Sequence, residues 1–163
     1  MSAVIVAIAT FLHVLATVVL VGHYLLLGFV YLPGLRRRLR GPALVAAVDE
    51  LDLAARPWLI GAFAVFGITG TALMFLNPSY TGWVGLAGNP WAVLLLAKHA
   101  VVALMIVGAI VLEAAAFPAA VDMNSTEDER ARSFGRLLLA LRGMAAGGIV
   151  VLILTAVAQV VAG

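Results

Sequence analysis

Five side chains interrupt stretches of this chain that are otherwise apolar: His13 and His23, Lys98 and His99, and Glu113. An ionisable group inside hydrocarbon costs about 2.5 kcal/mol or more, so each is a candidate ligand, relay or counter-charge. Imidazole nitrogens ligate haem iron and copper, and an ammonium pairs with an anionic group. The chain has nine arginines and a single lysine, and that lysine belongs to this set. There are no cysteines, which excludes disulfides, thiolate metal sites and cysteine nucleophiles. No hydrolytic triad, phosphate loop or carboxylate pair appears. If the chain is an enzyme, a cofactor carries the chemistry, as in a haem-dependent membrane oxidoreductase.

The elements that must position these groups follow from composition. Of 163 residues 64% are hydrophobic and 11% charged, against about 25% charged in a soluble domain. Such a chain is solvated by lipid, and its length suits one bundle. A span needs about 20 apolar residues. Neither Met1 to Leu35 nor Pro57 to Ala97 contains Asp, Glu, Lys or Arg. Punctuation by Pro33-Gly34, Asn77-Pro78-Ser79, Gly82, Gly85 and Gly88-Asn89-Pro90 divides the chain into four spans, about 4–32, 58–76, 91–117 and 137–161. An amphipathic piece from Leu44 to Ala55 belongs at the membrane interface. Ser125-Thr126 followed by Asp128-Glu129 reads as a helix start. The apolar N-terminus is too long for a signal-peptide core and reads as a retained helix. The expected fold is an all-α integral membrane bundle of four transmembrane helices, up-down-up-down in a single domain.

Arg36, Arg37, Arg38, Arg40 and Arg56 fall in or beside the first connection. Arg130, Arg132, Arg136 and Arg142 fall in or beside the third, and the second has none. The positive-inside rule then places both termini outside. Tyr80, Trp83 and Trp91 fit an outer aromatic belt. The formal charge of +2 reflects this topology and gives no reason to expect nucleic acid.

Depth relates the polar groups to one another. At 1.5 Å per residue His13 lies ~14 Å in from the outside, and His99 ~12 Å in along the third helix. The first and third helices are diagonal in a simple bundle, so His13 and His99 at equal depth would clamp a flat macrocycle's metal from both faces. His23 lies ~15 Å below His13 and would serve only a second, inner site. Each residue also has a plainer reading. His13 would bond a neighbouring helix, Lys98 would snorkel, and Glu113 would reach the cytoplasmic surface. Met74, Met105 and Met144 are ordinary core filler. Gly22, Gly28, Gly67, Gly70 and Gly147-Gly148 would allow close helix contacts or leave room for a flat ring. No internal repeat argues for an inverted-repeat transporter.

Four segments resemble the CopD family of bacterial copper-resistance membrane proteins. They are FLHVLATVVLVGHYLLLGFVYLPGLRR, ARPWLIGAFAVFGITGTALMF with its Thr69-Gly70, NPWAVLLLAKHAVVALMIVGAIVLE with Lys98, and GRLLLALRGMAAGGIVVLILTAVA with Arg136 and Arg142. His13, Tyr31-Leu32-Pro33 and Lys98 are also similar to the HemJ-type haem-binding membrane proteins. The Asn-Glu-x-Pro element of that group is absent, and neither pattern covers His23 or His99. The resemblance implies a haem b site involving His13 and Lys98, or a copper role, in a bacterial plasma (inner) membrane.

Three functions are therefore expected in order. The first is a haem b-binding membrane protein with a redox or porphyrin-related role, with haem held by His13, His99 and Lys98. The second is a copper transporter or copper-uptake protein, using His13, His23 and His99 with the methionines as soft ligands. The third is an accessory subunit of a larger membrane complex. The implied partners are the lipid bilayer, a redox or membrane-protein partner, and further copies of the chain.

Overall fold

The computed structural model describes residues 3–77, 80 and 90–162. Trp83, Pro78-Ser79, Gly82, Gly85 and Gly88-Asn89 lie outside the described residues. Among the described residues there is no strand. The described residues form four helices: α1 (Ala3–Arg38), α2 (Gly41–Leu76), α3 (Pro90–Val121) and α4 (Glu127–Ala162). Each is long and apolar enough to cross a membrane. α1 packs on α2, α3 packs on α4, and α1 also packs along α4; α2 meets α3 chiefly at the arginine-bearing end.

All four helices are longer than their apolar runs predict. Pro33 does not stop α1. The backbone widens into a π turn at Leu27–Tyr31, in which the Leu32 amide donates to the Leu27 carbonyl. That extra residue moves the Phe29 carbonyl out of the way of the proline ring, and the helix continues to Arg38. The same device, a π turn at Leu112–Ala116 before Pro118, carries α3 to Val121. The stretch Leu44 to Ala55 is not a separate interfacial piece but the start of α2, which runs on through Pro57. Leu53, whose carbonyl Pro57 leaves without an amide donor, is exposed. α4 starts at Glu127, ten residues before its apolar run. There the Thr126 amide donates to Glu129 Oε2 (3.0 Å) and the Glu129 amide donates to Thr126 Oγ1 (3.3 Å). This reciprocal pair is the capping box that the sequence suggested.

The dense core lies at the arginine end, where Leu32, Leu137 and Leu141 are the largest fully buried side chains. They pack with Val48, Phe117 and Phe134. Elsewhere long apolar side chains such as Val18, Ile68 and Leu104 are exposed, as expected where lipid covers the helices. Trp91 does not stand in an outer belt. It is buried, packed with Ala92 and Ala158, where its ring covers small side chains. Tyr80 sits against Phe75, ring centroids 5.3 Å apart.

The two hairpins repeat each other in the same orientation. The second π turn and the second proline follow the first ones by 85 residues (27 to 112, 33 to 118). α2 and α4 each have 36 residues and begin 86 apart (41 to 127). On this register Arg56 matches Arg142, Thr69 matches Thr155, and His13 matches Lys98. Thr69 and Thr155 make the same bond, each hydroxyl donating to the carbonyl four residues earlier at 2.6 and 2.8 Å. The repeat is parallel, not inverted. It is incomplete in contact, because α1 packs along α4 whereas α2 and α3 meet mainly at one end.

Candidate functional site

His13 occupies the side of α1 that faces α2. Its ring stacks on Phe66 with centroids 4.5 Å apart and planes 21° from parallel. Nδ1 lies 3.2 Å from the Phe66 carbonyl and 3.0 Å from Thr69 Oγ1. These contacts assign the tautomer. A carbonyl only accepts, so Nδ1 must carry the proton. Thr69 donates its own proton to Val65, which leaves Oγ1 free to accept a share of the same N–H. Nε2 is then the unprotonated nitrogen, and among the described residues it has no hydrogen-bond partner. Thr17, one turn on, donates to the His13 carbonyl at 2.7 Å. Gly70 makes the approach of the helices feasible: a Cβ there would lie 2.8 Å from His13 Cε1. Phe66, Thr69 and Gly70, neighbours on one face of α2, thus together hold the ring.

The ring borders a half-open cavity of about 300 Å³ lined by residues of all four helices. Val14, Thr17 and Val18 come from α1, Phe66 from α2, Lys98 from α3, and Thr155 from α4. The wall is almost wholly apolar, with Lys98 as its one ammonium. The structure therefore brings His13 and Lys98 to one space, at matching positions of the two hairpins.

His99 is not part of that space. It is exposed on α3, and its Nδ1 bonds the Leu95 carbonyl one turn back at 2.7 Å. Consecutive helical residues diverge by 100°, so only one of Lys98 and His99 can face inward, and Lys98 does. The expected diagonal clamp of His13 and His99 does not form. His23 is half-buried edge-on to Tyr24, ring centroids 5.3 Å apart, and lines neither this cavity nor the one at the arginine end. Among the described residues no three His, Asp or Glu side chains come together as a metal cage. Met105 and Met144 pack across the α3–α4 contact, against Gly147 and Gly108 respectively.

Glu113 reaches the arginine end, where Arg56 Nη2 binds both Asp52 (2.7 Å) and Glu113 (3.0 Å). This triad ties α2 to α3, and Asp52 is buried within it at 8% exposure. Sequence reasoning missed both this triad and the role of Phe66 and Thr155. The signal available was the recurrence of Arg and Thr at an interval of 86 residues. No family model matches the chain, and neither a curated protein nor a solved structure matches it.

Proposed function

We propose that the chain is a haem b-binding integral membrane protein with a redox or porphyrin-related role, and that His13 is the iron ligand. The observation that carries this reading is the contact of His13 Nδ1 with the Phe66 carbonyl, 3.2 Å away. Histidines that ligate metals almost always donate their other ring N–H to a carbonyl or carboxylate, which orients the ring and raises its basicity. His13 has that arrangement, beside an apolar cavity whose only cation is Lys98. The residues fit the group: one basic imidazole nitrogen, apolar walls, and one ammonium for a propionate. The volume is at the low end for small-molecule sites, so the open mouth must accommodate part of a group this large. Bound haem would supply one-electron chemistry. The chain's own part is to hold the imidazole, exclude water with valines and Phe66, and present a positive charge. Orientation follows the arginines, with both termini outside and the arginine end in the cytoplasm of a bacterial plasma membrane.

The test is the absorption spectrum of the purified, reduced protein after haem is supplied. A Soret band is expected, lost in His13→Ala and retained in His23→Ala and His99→Ala. Thr69→Val should weaken haem binding roughly 10- to 100-fold, as for other residues that orient a metal ligand. Absence of a Soret band in the parent protein, or full haem occupancy in His13→Ala, would refute the assignment. Purification with bound copper in place of haem would favour the copper-uptake reading. Co-purifying chains without any cofactor would favour an accessory subunit.

A further inference from the structure

A second cavity, of about 500 Å³, lies at the arginine end between α1, the start of α2, the end of α3 and the start of α4. Three cations line it, Arg36, Arg40 and Arg130, with Glu127 as the only carboxylate. Among the described residues none of these arginines has a carboxylate within ion-pair distance; both ion pairs belong to Arg56. Arg36 lies over the Phe134 ring, 5.4 Å from its centroid. Arg130 donates through Nη2 to the carbonyls of Met123 (3.3 Å) and Ser125 (3.0 Å). Its Nε is buried and has no partner. A buried donor left unpaired costs about 1–3 kcal/mol.

The backbone holds the arrangement in place. Arg40 is extended and Gly41 adopts φ +53°, a conformation that other residues avoid. The chain thereby turns sharply from α1 into α2, and Arg36 and Arg40 both line the cavity. Leu44, Val45 and Val48 make an apolar floor. Planar guanidinium forks around a space with excess positive charge match the tetrahedral oxygens of a phosphate. With the arginine end at the cytoplasmic interface, the apolar floor also suits the upper part of an acyl chain.

We propose that this cavity binds a phosphate group, carried either by an anionic phospholipid or free in solution. The assignment does not depend on haem. It is tested on the full-length protein in neutral detergent by two measurements. Native mass spectrometry compares retention of added phosphatidylglycerol with that of phosphatidylcholine. Thermal unfolding compares inorganic phosphate with chloride at equal ionic strength. Selective retention of phosphatidylglycerol identifies a lipid source, and stabilisation by inorganic phosphate alone identifies a free one; either supports the site. Arg130→Gln should lower the response roughly tenfold, as loss of a charge-assisted hydrogen bond would. Because Arg130 also braces the 122–126 turn, Arg40→Gln, which breaks no bond within the protein, should reproduce that loss in a folded protein. Arg132→Gln, on the same helix but outside the cavity, should leave the response unchanged. Absence of both lipid selectivity and a phosphate shift would overturn the proposal, and so would equal losses in the Arg132 and Arg130 variants.

Discussion

Two glycines three residues apart on α2 show how closely His13 is held. A Cβ at Gly67 would meet nothing within 4 Å, whereas a Cβ at Gly70 would meet the imidazole at 2.8 Å. The same substitution should therefore have opposite effects. Gly70→Ala displaces the ring or the helix and should destabilise by about 1–3 kcal/mol, the usual range for an overpacked site. Gly67→Ala should be neutral or stabilising by up to about 1 kcal/mol, because alanine is the better helix former. Thermal unfolding of both variants in one detergent checks this, and equal melting temperatures would show that the contact is soft. At this scale the sequence was informative about which groups matter and less so about how they pair. Depth along the helices put His13 and Lys98 at one level. His99 shared that level, but its ring could satisfy itself on its own backbone and turn outward, and depth carries no information on that choice.

Prolines in long apolar helices read as breaks, and here they are not. In α1 the π turn commits the Leu32 amide to the Leu27 carbonyl, so the next acceptor, the Gly28 carbonyl, faces Pro33, which has no N–H. Arg142 of α4 fills that vacancy, its Nε donating to the Gly28 carbonyl at 3.3 Å while its guanidinium lies over Phe29. Arg142→Ala should then cost about 1–3 kcal/mol, because it strands a buried carbonyl. Pro33→Ala would supply the missing amide, so the double variant should lose much less than the two single losses added together. A double-mutant cycle measured by unfolding in detergent decides the matter, with additive losses counting against the link. This coupling was not legible in advance. Proline chemistry predicts either a stop or a kink, and which of them occurs depends on a donor supplied from another helix. The start of α4 was legible, because a capping box is made within four residues and needs no partner.

At the scale of the whole molecule, the described residues form two hairpins in parallel repeat, and the interval of 85 to 86 residues went unread for a physical reason. Lipid-facing positions accept almost any apolar side chain, so only the structural marks persist: the prolines, Arg56 and Arg142, Thr69 and Thr155. If each hairpin is a folding unit, a chain divided between Tyr80 and Pro90 should reassemble when its halves are co-expressed, and tagged 1–80 should retain untagged 90–163. Recovery of the tagged half alone would show that the covalent connection is required. The number and placement of the four long apolar helices were readable from hydropathy, whereas their true lengths, fixed by π turns and a cap, were not. The half-open cavity has one last implication. Val14 and Val18 border it and are themselves exposed on the flank of α1, so in a bilayer its door would give onto hydrocarbon, not onto water. Guests would then arrive by lateral diffusion, and oil solubility would govern admission before any contact with His13.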